Sequence, residues 1–138
     1  MNTDLPVLRL FLTWLLFVPV AIINGSVRQF FYQKYLGELR AHQLSSIIGS
    51  LLFIIFAYIL ARRQLAGLSS SQLFLTGLCW LVLTLIFEFG MGLAAGRSWQ
   101  YMLADYNLKA GRLWLLVLMA IFFAPILIKF LLLHANKR

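Results

Sequence analysis

The chain has little of what soluble enzymes are built from. Only 12% of its 138 residues are charged, against about a quarter in a typical soluble domain. Four residues are acidic and two are histidine, so few side chains can serve as acid, base or ligand. The single cysteine, Cys79, excludes an intrachain disulfide, and its place in an apolar run predicts a buried structural thiol. Glu38 and His42 are four apart and would share a helix face. With His134 expected at the far end of the molecule and Cys79 within a span, no zinc set assembles around them. There is no G-x-S-x-G stretch and no phosphate-binding glycine loop. Ser45 and Ser46 lie one turn from His42, but only Glu38 or Asp105 is available to orient that histidine. No catalytic set, metal or cofactor is therefore expected.

Apolar residues are what the chain has in abundance. They make up 62% of it, with a mean hydropathy of +0.89, which puts the chain among membrane proteins before any residue is placed. The twelve Lys and Arg residues give a net charge of +8 and a pI near 10.3. They are spread along the segment ends without a basic stripe, which excludes a nucleic-acid surface and matches residues that flank spans and meet anionic headgroups.

Apolar runs long enough to cross a bilayer fall at about residues 5–24, 43–61, 72–89 and 113–133. The first lacks a strong basic start and a small-x-small cleavage pattern, so it reads as a retained helix bent at Pro19. Ser69, Ser70 or Ser71 is a natural N-cap for the third. The predicted fold is an all-α bundle of four transmembrane helices, with short amphipathic helices at the interface in the first and third connections. Phe31, Tyr35 and Leu39 recur every four residues in the first connection, where Gly37 marks a bend. Ser98 would cap a short helix carrying Trp99, Met102, Leu103 and Tyr106 at helical spacing in the third. Four spans put both termini on one side. Arg62-Arg63 in a tight loop and the basic tail from His134 to Arg138 point to the cytoplasm for that side.

Polar chemistry is concentrated between Phe87 and Trp114. Glu88 sits just inside the expected end of the third span, where a carboxylate is expected to face the bundle interior with a partner. No basic residue precedes it by one turn, so Arg97 or Arg112, or Arg28 or Arg40 from the first connection, is the expected partner. Gly92-x-x-x-Gly96 has the spacing of a close helix–helix contact in lipid, through which a homo-oligomer could form, but a re-entrant turn or a plain loop fits it as well. The two connections would bring Arg28, Arg40, His42, Glu88, Arg97, Asp105 and Arg112 together on one side. Such a cluster is net positive and suited to an anionic group, above all the headgroup of an anionic membrane lipid.

The stretches NGSVRQ (24–29), ELRAHQ (38–43) and LADYNLKAGRLW (103–114) resemble those of small bacterial four-span inner-membrane proteins of unknown function. The resemblance implies a four-helix topology in a bacterial cytoplasmic membrane and no particular activity. The expectation is thus a small transporter, binding protein or accessory subunit. The alternative is an intramembrane enzyme acting on a lipid or lipophilic anion, with Glu88 or His42 as acid–base.

Overall fold

The computed structural model describes residues 6–135. Asp4, the expected span start at Leu5, and Lys137 and Arg138 of the basic tail lie outside them. The chain is all-helical over the described residues, and four helices are long and apolar enough to cross a membrane.

Helix α1 is Val7–Val27 and runs through Pro19. A π-helical turn, Arg28–Tyr32, and a last short helix, α2 (Gln33–Leu36), prolong it well past the first apolar run. The expected separate helix of the first connection is therefore an extension of α1. Gly37 then reverses the chain with φ +78°, a conformation that side chains other than glycine rarely adopt. Helix α3 starts at once and spans Glu38–Ala66, with Glu38 in its first turn, where a carboxylate complements the helix dipole.

Ser69 caps α4 (Ser70–Ala94), exchanging hydrogen bonds with Gln72 in a capping box. This helix continues five residues beyond the expected Phe89. Gly90 and Gly92 do not end it, because spanning helices tolerate glycine well. Glu88 is consequently more than a turn inside α4 rather than at its boundary. Helix α5 (Trp99–Ala104) is capped by Ser98 as expected. A 3-10 turn, Leu108–Ala110, leads to α6 (Trp114–Ala135).

Around the bundle the order is α1, α3, α6, α4. Small residues let α6 approach both neighbours. Ala57, Ala61 and Ala124 are fully buried, and a methyl placed on Gly77 would overlap the backbone carbonyl of Phe122. Contacts this close replace the hydrophobic driving force that is missing between helices in lipid. The rings of Phe17, Phe53 and Trp80 meet edge to face at 4.7 and 5.4 Å and fill the centre. At the end near the termini, Lys129 donates to the Leu68 carbonyl, tying α6 to the loop before α4.

Helices α1 and α4 run parallel, and two hydrogen bonds join the first half of α1 to the middle of α4. The Trp80 indole donates to the Leu10 carbonyl at 2.9 Å, and the Trp14 indole to the Thr84 hydroxyl at 3.0 Å. Cys79 is exposed rather than buried. Leu73, Thr76, Gly77 and Trp80 take the inward face of α4, which leaves Cys79 on the outward one with Leu75 and Val82.

Candidate functional site

Beyond the Trp14–Thr84 bond a cleft of about 320 Å³ opens between α1 and α4, with α3 and α6 as its back wall. Its interior is apolar, lined among others by Trp14, Phe17, Phe87, Val117 and Ile121. Ile22 of α1 and Met91 of α4 stand on its rim and are exposed on the outer surface. Its polar lining includes Asn24, Arg28, Ser45, Glu88, Arg97 and Asp105. Asn24 holds α1 to α3 here, its amide donating to the Ser45 carbonyl at 3.0 Å and to the Ser45 hydroxyl at 3.2 Å.

The two cationic groups of the lining are not consumed by ion pairs. Arg28 is half-buried at the start of the π-helical turn, a departure from α-helix that often accompanies functional positions. Arg97 is exposed, with its guanidinium 5.6 Å from the Tyr101 ring centre. Among the described residues every salt bridge belongs to other partners.

Those partners form a clasp over the start of α3. The strap from Ala95 to Leu113, which joins α4 to α6, lies across it. Arg112 reaches Glu38 at 2.8 Å and Asp105 at 3.6 Å. Nε2 of His42 lies 3.3 Å from Asp105, while neither ring nitrogen of this fully buried side chain has a hydrogen-bond partner among the described residues. The contact is therefore electrostatic and becomes a salt bridge when His42 carries a proton. Gln43 donates to the Gly111 carbonyl at 2.9 Å. Partial burial alone would raise the Asp105 carboxyl, but His42, with Arg112 and Arg28 behind it, outweighs this and holds it below its ordinary value.

The other half of the strap rests on α4. Met102 occupies the space above Gly92, and Phe89 stacks on Tyr106 with ring centres 6.0 Å apart. Gly92 is thus covered within the chain, and Gly96, at φ +71°, turns the chain into the strap. The two glycines of the Gly92-x-x-x-Gly96 spacing do different jobs.

Glu88 has no arginine partner among the described residues. Its Oε2 accepts from the Trp114 indole at 2.7 Å and from the Tyr106 hydroxyl at 3.1 Å. Its Oε1 has no partner among the described residues, and the side chain lines the cleft. Burial, and then the charge of Glu88 beside it, push the Tyr106 phenol up from its ordinary value.

Of the expected cluster, His42 and Arg112 both meet Asp105, while Arg28, Glu88 and Arg97 line the adjoining cleft. Arg40 stands apart, because its exposed side chain leaves the opposite side of α3 from Glu38 and His42. Tyr106, Trp114, Asn24 and Trp14 are functional candidates that the structure adds to the expected cluster. The signal for Tyr106 and Trp114 was that each pairs a large ring with a proton donor. Glu88 and His42 lie at the same end of the bundle. Even so, neither Ser45 nor Ser46 bonds to the His42 ring, so no nucleophile–base pair is formed.

No known protein family matches the chain, nor does any curated protein or solved structure.

Proposed function

We propose that this is a small protein of the bacterial cytoplasmic membrane that binds an amphiphile with an anionic head in the cleft between α1 and α4. It would work as a transporter, binding protein or accessory subunit. The observation that carries this reading is one cleft with an apolar interior, a rim at Ile22 and Met91, and two arginines free of ion pairs in its lining. An apolar pocket with a few convergent polar groups is the usual form of a ligand site, and guanidinium groups suit phosphate and carboxylate.

Both termini are cytoplasmic in this reading, on the strength of the basic tail and of Arg62-Arg63, which the structure places in the last turns of α3 rather than in the expected loop, so the arginines of the cleft lie at the outer headgroup level. Trp99 and Tyr101 of α5, both exposed, would anchor the strap there. A serine nucleophile activated by His42 would need its hydroxyl in contact with that ring. Ser45 is held by Asn24 instead, which gives no support to that form of catalysis.

Native mass spectrometry of the protein extracted gently with its lipids tests the reading. An anionic amphiphile retained by the wild type and lost from the Arg28→Ala, Arg97→Ala double variant is the expected result. Equal retention in the two, or none in either, would contradict it.

A further inference from the structure

We infer that the cleft selects a single-chain phospholipid with a free hydroxyl next to its phosphate: a monoacylglycerol phosphate rather than a diacyl one. This rests on the proposal that the cleft holds an anionic amphiphile, and it concerns what Glu88 adds to that site.

Glu88 stands six residues before the end of α4 at Ala94, about 9 Å deeper at the rise of an α-helix. It lies below the level of Arg97 on the way into the cleft. A phospholipid that brings its phosphate to Arg28 and Arg97 with its chain toward the apolar interior sets its glycerol carbons beside Glu88. The carboxylate is already half engaged there. Trp114 and Tyr106 both donate to Oε2, which fixes the group, and Oε1 of this cleft-lining side chain is left without a partner among the described residues. A carboxylate oxygen only accepts hydrogen bonds. A free hydroxyl on the middle glycerol carbon satisfies it. An esterified position offers only acceptor oxygens, which repel it and leave it desolvated.

The cleft's size points the same way. About 320 Å³ is at the small end of ligand pockets, which run from about 300 to 1,000 Å³. An apolar cleft of that volume suits one alkyl chain better than two.

The test measures binding of three ligands with the same oleoyl chain to the full-length protein in detergent, by titration in native mass spectrometry. They are lysophosphatidate, its analogue lacking the middle hydroxyl, and dioleoyl phosphatidate. The wild type is expected to bind lysophosphatidate about ten- to a hundredfold more tightly than the deoxy analogue, the range for a hydrogen bond to a charged group, and to prefer it over the diacyl lipid. Glu88→Gln keeps an oxygen for Trp114 and Tyr106 and turns an amide donor toward the cleft. It should reduce the preference for the hydroxyl over the deoxy analogue to the few-fold effect of a neutral hydrogen bond, and shift binding toward the diacyl ester, whose oxygens accept from the amide. Equal wild-type affinity for lysophosphatidate and the deoxy analogue overturns the inference and needs no variant that must fold. Arg28→Ala, Arg97→Ala separates the two levels of the argument. If it weakens all three ligands while the wild type shows no hydroxyl preference, only the role of Glu88 fails. If none of the three binds the wild type, or the arginine variant binds them all as well as the wild type does, the cleft reading fails and takes this inference with it.

Discussion

The seam between α4 and α6 and the seam between α1 and α4 use opposite materials. In the first, Gly77 lets the Phe122 backbone come into direct contact, and Ala124 on α6 is fully buried. In the second, Trp14, Phe17 and Phe87 stand between the helices, which are joined by the Trp14–Thr84 and Trp80–Leu10 bonds. Small residues make a seam because lipid gives helices no hydrophobic reason to associate, so stability comes from close contact. Large rings and a few polar groups hold the other seam apart and leave a cleft. The difference separates the part of the bundle that supports the fold from the part that is available to a ligand.

Breaking the tight seam should have the largest effect. Gly77→Ala forces the Phe122 backbone away, and about 1–3 kcal/mol of destabilisation is expected, read as a lowered midpoint for unfolding in a denaturing detergent. Next comes the clasp. Asp105→Asn removes the partner shared by His42 and Arg112, and because Asp105 is partly exposed the loss should be about 1 kcal/mol.

The same substitution has a pH signature whose sign follows from the depressed carboxyl. A group whose value is lower in the folded state stabilises it fully above the ordinary value, here 3.8, and that contribution is lost as pH falls through the lower folded value. The difference in melting temperature between wild type and Asp105→Asn should therefore shrink as pH falls through the window just below 3.8.

A smaller effect is expected for Tyr106→Phe, which removes one of two donors to Glu88, at about 0.5–1 kcal/mol in the same unfolding assay. The smallest belongs to the open seam. Gly25 lines the cleft, and a methyl there would meet nothing within 4 Å. Gly25→Ala should change stability by less than about 0.5 kcal/mol, and a loss as large as that of Gly77→Ala would erase the contrast between the seams.

The four long helices were legible because twenty apolar residues in a row have few other places to go. Their ends were less so. Composition marks where hydropathy fades, whereas Gly37 and the Ser69 capping box set where helices begin, and α4 and the π-extended α1 run on past their apolar cores. Part of the site was also legible: Glu38 and His42 lie on one face by spacing, and the same count puts Arg40 on the other side of α3. The partners of Glu88 were not legible, since a carboxylate in a span calls for an opposite charge and the chain supplies two neutral donors instead, Tyr106 from the strap and Trp114 from the start of α6. Nor was the cleft. An opening between two helices depends on their relative stagger, which a single sequence leaves unstated.

Site-specific photocrosslinking addresses the central claim most directly. A photoreactive residue would be placed at Ile22, on the rim, or at Leu51, exposed on the outer surface of α3 away from the cleft lining, and the protein would be given traceable lysophosphatidate in a bilayer. The account predicts strong labelling from Ile22 that vanishes with Arg28→Ala, Arg97→Ala, and only weak, arginine-independent labelling from Leu51. Equal labelling at the two positions, unchanged by the arginine substitutions, would mean that the cleft touches lipid only as the rest of the surface does, and would contradict it.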